Sequence, residues 1–290
     1  MTERLSDIEA RIGSVHQLSS VIGAMRGIAA ARTLEASKHL DGVRAYASTT
    51  ALAIGSALAL VPDIQDQPSG GQTGGGGQVI VALCAEQGFA GSFSHRILEH
   101  VSGMMKAETG GATELLLIGD RGLLAAVEFE IVPDWSAPMI ASTAQAAGLS
   151  NRIMDELYER IGRGGVQRVF LVHASPGAAV VANIVERQLV PFDFSRFASP
   201  AGNEPPLLNL APQRLLASLV EEYVFAELCE AVVLSYAAEN EARMRAMVSA
   251  QRNVAETLET LTASARRQRQ EEITNEICEL SAGILSRNAS

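Results

Sequence analysis

The longest regular pattern of hydrophobic and polar positions lies in the C-terminal part of the chain. From Gln213 to Ala282 the sequence runs for 70 residues without proline or glycine. This favours a helix far longer than the usual length of about 11–12 residues. Within it, positions recur in alternating steps of three and four residues, at Met244, Met247, Gln251, Val254, Leu258, Leu261 and Ala265. That spacing is typical of a coiled-coil seam, with Gln251 as its single polar position.

A matching pattern opens the chain. Apolar positions follow one another in steps of three or four, at Ile8, Ile12, Val15, Leu18, Ile22, Met25 and Ile28. The helical pattern continues to about Leu60. Gly13, Gly23 and Gly27 are unusual inside a helix, since each costs about 1 kcal/mol relative to alanine. Together with neighbouring alanines they form a thin face that another backbone could approach. We expect the two terminal helices to pair through their seams.

The middle of the chain follows a different pattern. Residues 62–77 are polar and glycine-rich, as is typical of a flexible linker. Beyond them, strands are predicted at Gln78–Cys84, Glu114–Gly119, Phe129–Val132, Val166–Ala174 and Ala178–Leu189. Helical segments alternate with these strands, which predicts a small open sheet with helical cover. The predicted organisation is an N-terminal helix (1–61), the linker, a central α/β domain (78–205) and a C-terminal helix (206–290).

Composition and charge exclude several classes of function. The net charge is −10, and residues 61–238 hold ten basic and twenty acidic residues. A nucleic-acid-binding protein needs a positive surface, so we expect no nucleic-acid partner. The three cysteines lack metal-ligand spacing, and the glycine-rich tract precedes its strand instead of forming a phosphate-binding loop. We therefore predict no catalytic, cofactor-binding or metal-ligating set. No apolar run is long enough to span a bilayer, so a membrane is expected to be reached only through partners.

The most informative charge run is Arg266-Arg267-Gln268-Arg269-Gln270 in the C-terminal helix. Its ordinary interpretation is a solvated helix face. It interrupts the seam, however, and Glu271, Glu272 and Glu276 follow it directly, so the charges are sharply segregated. Because guanidinium groups bind carboxylates in a bidentate manner, an acidic partner surface is the second interpretation. Beyond this run the apolar stripe resumes at Ile273, Ile277, Leu280 and Ile284.

Several segments of the chain carry recognisable motifs. Residues 23–32 have the sequence GAMRGIAAAR, residues 239–247 have ENEARMRAM, and residues 269–277 have RQEEITNEI. These resemble the KAMxMVAASK, SExxARMxAM and RQxxITxEL segments of the gamma subunit of F-type ATP synthases, and IGDRG at 118–122 stands where that family has IGxKG. The lysines of the first segment are replaced. The family's central SDRGLCGGxN stands here as AEQGFAGSFS at 85–94.

The resemblance implies an α/β fold class: a long antiparallel coiled coil of the N- and C-terminal helices plus a central Rossmann-like open sheet without a cofactor of its own. It implies the central-stalk rotor subunit of the F1 sector. Such a subunit couples proton flow through Fo to ATP synthesis or hydrolysis by rotation, helps to regulate ATPase activity and has no active site. The implied partners are three alpha and three beta subunits, the epsilon subunit and the c-ring, at the cytoplasmic face of the cell membrane, where the chain is peripheral.

The resemblance also implies roles for individual residues. Contacts with the alpha and beta ring are expected at Met25, Arg26, Arg266, Arg267, Arg269, Gln270, Ile273, Thr274 and Ile277. The arginines of the C-terminal run would face acidic helices of the beta subunits, and Gln270 and Thr274 would contact a beta-subunit loop. The apolar residues from Ile273 onward would turn in an apolar sleeve. Met25 and Arg26 would lie opposite them on the N-terminal helix.

Two other functions stay open on the residues alone. A stand-alone coiled-coil tether with a globular head would need the heptads but not the RQxxITxE motif, and it would self-associate through its seams. An α/β enzyme with helical extensions would need convergent polar groups in residues 78–200, and the sequence offers no such set.

Overall fold

The computed structural model describes most of the chain. The described ranges are 4–61, 76–108, 110–177, 183–197 and 208–288, without the side chains of 282–288. Of the predicted linker 62–77, only Gly76 and Gly77 belong to the described residues.

In the described ranges, two long helices flank five strands and three shorter helices. The elements are α1 (Leu5–Leu58), β1 (Gly77–Leu83), α2 (Phe93–Ala107), β2 (Thr113–Ile118), α3 (Asp120–Glu128), β3 (Trp135–Ala137), α4 (Ala146–Arg163), β4 (Val166–Ser175), β5 (Asn183–Val190) and α5 (Pro212–Asn288). Short 3-10 turns lie at Thr143–Gln145 and Phe194–Arg196. The predicted fold class, a mixed α/β protein with long terminal helices, is confirmed.

The chain divides into two compact units. The first, which we call the helical unit, consists of Met1–Ile28 and Met244–Ser290, and the second, the sheet unit, is Ala29–Arg243. This division falls inside α1 and α5, whereas the predicted domain boundaries fall near their ends. The compact units therefore do not end where the predicted domains end. The domain boundaries at 61, 77 and 205 stay a prediction.

In the helical unit the two helices run antiparallel. Arg26 Nη1 donates a hydrogen bond to Gln251 Oε1 at 2.8 Å. Further along, Arg269 Nη2 donates to Glu9 Oε1 at 2.6 Å. As the residue number falls along α1 it rises along α5, which is the signature of an antiparallel pair. Gln251, the polar position of the predicted seam, therefore has a polar partner on the facing helix.

Most of the predicted seam residues lie on the inner sides of this pair. Ile8, Ile22, Met247 and Leu261 are buried. Eight further members are half-buried: Ile12, Val15, Met25, Met244, Gln251, Val254, Leu258 and Ala265. A two-helix pair covers only a narrow stripe of each helix, so partial burial is the physical expectation.

Two predicted positions in the N-terminal stripe are wrong. Leu18 and Ile28 are 51% and 55% exposed, and the less exposed positions are Ser19 and Ala29. A coiled-coil seam advances by 3.5 residues on average, so its steps must alternate between three and four. The prediction used two consecutive steps of three, which drifted off the buried face.

The sheet unit contains an open five-stranded sheet of order β3-β2-β1-β4-β5. Strands β1 to β4 pair in parallel, with Ile80 opposite Leu115 on β2 and opposite Phe170 on β4. Strand β5 pairs antiparallel with β4 and forms one edge. The chain moves outward from β1 to β3 and then returns to the other side of β1, so the strand order reverses between β1 and β4.

Both faces of the sheet are covered. Val79, Val81 and Leu83 point to a core shared with α4 and with parts of α1 and α5. Ile80 and Ala82 point to the opposite core, which α2 and α3 cover. This alternation explains the continuous apolar run of β1, because a parallel strand with helices on both sides has no solvent-facing positions.

One predicted strand is misplaced. Phe129–Val132 is not a strand, and the third strand is Trp135–Ala137 instead. Val132 is 86% exposed. The actual strand is only three residues long and contains Ser136, so no apolar run marks it.

Two glycines allow the strand ends to come close together. Gly119 has φ +104°, and a Cβ there would lie 2.6 Å from the carbonyl oxygen of Cys84. A Cβ on Gly122 would lie 2.5 Å from Cβ of Cys84. The IGDRG segment is therefore explained by the tight packing of the β2–α3 connection against the end of β1.

Candidate interface with partner subunits

The arginine belt, which we define as Arg266, Arg267 and Arg269, is exposed on α5 of the helical unit. Arg269 pairs with Glu9. Among the described side chains, no carboxylate forms an ion pair with Arg266 or Arg267. Two guanidinium groups thus remain available for an external acceptor, and the third is held by an exposed pair that is easily exchanged.

Residues beyond the belt form an exposed stripe, which we call the apolar tip: Ile273, Ile277 and Leu280, with exposures of 49%, 58% and 68%. Since Glu9 faces Arg269 in this antiparallel pair and α1 begins at Leu5, the tip starts level with Leu5 at Ile273 and continues past it at Ile277 and Leu280. The described residues of the chain do not cover it. The less exposed positions of α5 in this region are Gln268 and Glu272, so the apolar stripe that resumes at Ile273 is not part of the buried face of the helix pair.

The polar residues of this region make contacts within their own helix. The Thr274 hydroxyl donates to the backbone oxygen of Gln270 at 2.8 Å. The side chain of Gln270 is exposed. On α1, Met25 is half-buried and Arg26 is held by Gln251. The structure thus places these predicted contact residues along the helical unit, and their contacts with a partner stay a prediction.

The thin glycine face has no neighbour in the described chain. A Cβ added to Gly13, Gly23 or Gly27 would meet nothing within 4 Å. These glycines do not bring α1 and α5 close together. None of the described residues approaches these three positions closely.

The sheet unit contains a polar arrangement that sequence reasoning missed. We call it the crevice cluster: Glu239, Asn240 and Arg243 on α5 together with the loop 85–88. Glu239 accepts hydrogen bonds from the backbone amides of Glu86 and Gln87, each at 3.2 Å. Arg243 donates to the backbone oxygens of Gly88 at 3.1 Å and Gln87 at 3.2 Å. A charged pair four residues apart normally indicates a solvated helix face, so the pattern alone could not reveal the burial.

The crevice cluster is buried and internally paired. The side chains of Arg243 and Glu239 are only 6% and 4% exposed and form an ion pair with each other. Arg243 Nη1 also donates to Asn240 Oδ1 at 2.8 Å. Buried charges are tolerated only when paired and hydrogen-bonded, and here both conditions hold.

Two other titratable groups close to the strand ends, His173 and Cys84, are buried in their neutral forms. Burial lowers the pKa of His173 on β4 to about 4, and its Nδ1 lies 3.1 Å from the backbone oxygen of Ala174. Burial also raises the pKa of the Cys84 thiol to about 12. Neither group is prepared for acid–base or nucleophilic chemistry near neutral pH.

Within the described ranges, no three His, Cys, Asp or Glu side chains are grouped so as to hold a metal ion. None of the helices in that part of the chain combines the length and apolar character needed to cross a bilayer.

The fold and the exposed helical surface define a class: proteins that combine a two-helix antiparallel coiled coil with an open parallel sheet. The family described as ATP synthase matches residues 4–286. The gamma chain of Frankia casuarinae ATP synthase is 27% identical, over 98% of this chain and 97% of its own. That of Ruegeria pomeroyi is 28% identical, over 96% of this chain and 98% of its own.

Solved structures share the fold. The central stalk and c-ring structure of Tetrahymena thermophila mitochondrial ATP synthase contains a chain with a TM-score of 0.57 at 18% identity, covering 79% of this chain and 99% of that one. A chain of the Euglena gracilis mitochondrial ATP synthase has a TM-score of 0.58 at 14% identity, covering 92% and 96%. On the family match over nearly its whole length, this chain belongs to the gamma chain family of ATP synthases.

Proposed function

We propose that this chain is the rotor shaft of an F-type ATP synthase. It stands inside a ring of three alpha and three beta subunits, with the epsilon subunit and the c-ring as further partners, at the cytoplasmic face of the cell membrane. It couples proton flow to ATP synthesis or hydrolysis by rotation and carries out no bond chemistry itself. The chain contributes shape and charge, and the partner subunits contribute the catalytic groups.

The observation that carries this proposal is the end of α5. The apolar tip extends past the start of α1 and is exposed in the isolated chain. Exposed apolar residues arranged along one helix end favour burial in a protein partner. A sleeve of apolar side chains suits a rotating helix, because hydrogen bonds are directional and would have to be broken at each step of the turn.

The arginine belt supports the same proposal through its charge. Arg266 and Arg267 lack intrachain carboxylates among the described side chains. A guanidinium group binds a carboxylate with two parallel hydrogen bonds. We therefore assign the belt to acidic helices of the beta subunits, and Gln270 and Thr274 to a neighbouring beta-subunit loop. Met25 and Arg26 contribute the facing part of α1.

The asymmetry of the helix pair accounts for the coupling. The two helices of the helical unit expose different side chains, the belt on α5 and Leu18 and Ile28 on α1. As the pair turns, each beta subunit meets these surfaces in succession. Different contacts stabilise different conformations of a partner, so rotation changes the nucleotide affinity of each beta subunit in turn.

The experiment is reconstitution of the ring with defined variants. The purified chain is mixed with alpha and beta subunits of the same organism, and complex size, ATPase activity and, with the membrane sector, ATP-driven proton pumping are measured. We expect one copy per ring and ATPase activity that depends on the chain. The variant Arg266→Ala/Arg267→Ala/Arg269→Ala should retain ATPase activity but lose at least half of the proton pumping per ATP.

A matched control is Arg252→Ala, an exposed arginine of the same helix outside the belt. It should leave pumping per ATP unchanged. Loss of folding in the triple variant, or equal loss in the control, would refute the role of the belt. Self-association of the chain without entry into the ring would refute the shaft and favour the coiled-coil tether.

A further inference from the structure

The strand order of the sheet creates a crevice at the carboxyl ends of β1 and β4. Helices α2 and α3 cover one face of the sheet and α4 covers the other. The helix that follows β1 and the helix that precedes β4 therefore lie on opposite faces, which leaves a gap between the ends of these two strands. In open α/β sheets, this is where ligands bind, and their anionic groups are held by backbone amides of the loops that follow the strands. The groups that accept hydrogen bonds from these amides therefore show whether a ligand could bind there.

Carboxylates of the chain itself occupy the amides. At the end of β1, Glu239 accepts from the amides of Glu86 and Gln87. At the end of β4, Glu241 accepts from the amide of Gly177 at 3.3 Å. Both acceptors lie on α5, on the stretch of the helix that passes the strand ends.

The same arrangement continues along the sheet. Glu86, in the loop held by Glu239, accepts from the amide of Met139 beyond β3 at 2.7 Å and from that of Asp120 after β2 at 3.2 Å. The ends of all four parallel strands are thus capped by three carboxylates, Glu86, Glu239 and Glu241. A bound phosphate would need the amides that these groups already use.

Arg243 completes the arrangement by balancing the charge. It pairs with Glu239 and donates to the backbone oxygens of Gln87 and Gly88. The loop is therefore held by its amides through Glu239 and by its carbonyls through Arg243. Both side chains come from one turn of α5, so the loop cannot shift relative to this turn without breaking several hydrogen bonds.

We propose that Glu239 and Arg243 form a built-in ligand that fills the crevice and fixes helix α5 to the sheet. This role rests on the proposed rotor function. The two residues make α5 and the sheet turn as one body, so that torque passes between them without slip. They are positioning residues. A buried ion pair is a poor source of stability compared with apolar packing, so its value here is the single register that it enforces.

The first test is local and uses the full chain alone. Hydrogen exchange is measured at the amides of Glu86 and Gln87 in the unaltered chain and in Glu239→Gln, which keeps the side-chain size but loses the charge. We expect these two amides to exchange at least tenfold faster, with the strands β1 and β4 unchanged. Unchanged exchange at the two amides would overturn the proposal.

The control is Glu230→Gln on the same helix. Its carboxylate pairs with Arg44 at 2.8 Å, and among the described residues no hydrogen bond or ion pair joins it to the loop 85–88. It should leave the exchange of the loop amides unaltered. If it accelerated them as much as Glu239→Gln does, a general loosening of α5 would explain the result and the proposal would fail.

The second test is functional and uses the reconstituted complex. For Glu239→Gln and for Arg243→Lys, which keeps the charge but loses the guanidinium fork, we expect ATPase activity to be retained and proton pumping per ATP to fall at least twofold. Parallel loss of ATPase and pumping, or unchanged pumping per ATP, would overturn the positioning role. If the unaltered chain failed to assemble with the ring, the rotor function would fail instead, and the exchange experiment would still decide whether the crevice is filled as proposed.

Discussion

The two units of this chain differ in how completely they bury their own apolar residues. In the sheet unit, β1 has five consecutive residues, Val79 to Leu83, with no exposed surface. In the helical unit, the buried apolar side chains among the described residues are Ile8, Ile22, Met247 and Leu261. The sheet has helices on both faces, whereas in the described part of the helical unit each helix of the pair packs only against the other.

The difference indicates in which unit contacts with other chains are expected. The sheet unit has a core on both faces of its sheet, and carboxylates of the chain accept from the amides at its strand ends. The helical unit keeps its apolar tip and most of its arginine belt without intrachain partners among the described side chains. An incomplete surface of this kind is expected of a subunit that acts through contacts with other chains.

The largest effect is expected where the sheet unit is packed most tightly. Gly119→Ala places a Cβ 2.6 Å from a backbone oxygen at φ +104°. We expect the free energy of unfolding to fall by about 3 kcal/mol or more. Urea unfolding followed by far-UV circular dichroism measures this. Gly148→Ala is the matched control, because a Cβ there meets nothing within 4 Å, and it should not destabilise. Equal stability of the two variants would contradict the close approach.

The second effect is a loss of stability of the sheet unit at acidic pH. His173 is buried on β4 with its pKa lowered to about 4 from an ordinary 6.5. The unfolded chain therefore binds a proton at higher pH than the folded chain. The contribution to stability is complete above about pH 6.5 and is lost progressively as the pH falls to about 4, by on the order of 3 kcal/mol.

Urea unfolding across this pH range measures the loss. His173→Gln should flatten the dependence, while the exposed His39→Gln should leave it intact. A slope that persists unchanged in His173→Gln would mean that other groups cause the acid sensitivity of the sheet unit.

The third effect contrasts the seam with the tip inside the helical unit. Leu261 is 8% exposed and Ile277 is 58% exposed. Leu261→Ala should lower the stability of the isolated chain by about 2 kcal/mol, because it removes a buried side chain from the seam. Ile277→Ala should change it by less than about 0.5 kcal/mol. Thermal unfolding and ring assembly are measured for both. If Ile277→Ala left the affinity for the alpha and beta ring unaltered, the tip would have no partner.

The smallest effect tests the glycine face. Gly27→Ala meets no neighbour within 4 Å, so helix propensity alone should stabilise the chain by about 0.5–1 kcal/mol. Circular dichroism on thermal unfolding measures this. Reduced assembly with the ring despite a more stable chain would show that a partner backbone approaches Gly27. Destabilisation of the isolated chain would contradict the open geometry around it.

Much of the fold follows from the spacing of apolar residues. The long helices and four of the five strands were predicted within a few residues, except that part of the predicted strand Ala178–Leu189 lies outside the described residues. Strand β3 was missed because three residues with a central serine give no periodic signal. The N-terminal seam drifted at Leu18 because Ser19, a polar residue, takes the inner position.

The site was predicted unevenly. The arginine belt stands out as a charge run, and the structure leaves Arg266 and Arg267 exposed. The role of Glu239 and Arg243 could not be predicted, because an oppositely charged pair four residues apart is the usual pattern of a solvated helix face. Only the loop after β1, distant in sequence, reveals that the pair is buried. Contacts between residues this far apart in the sequence produce no local sequence pattern from which they could be predicted.

The most direct test of the central claim is observation of rotation. Val132, which is 86% exposed in the sheet unit, is replaced by cysteine in a chain with Cys278→Ser, and a probe is attached to it in a complex immobilised through the beta subunits. On addition of ATP, we predict rotation in one direction, with as many pauses per turn as there are beta subunits. A probe that stays still while the same complexes hydrolyse ATP would contradict the account of this chain as a rotor shaft.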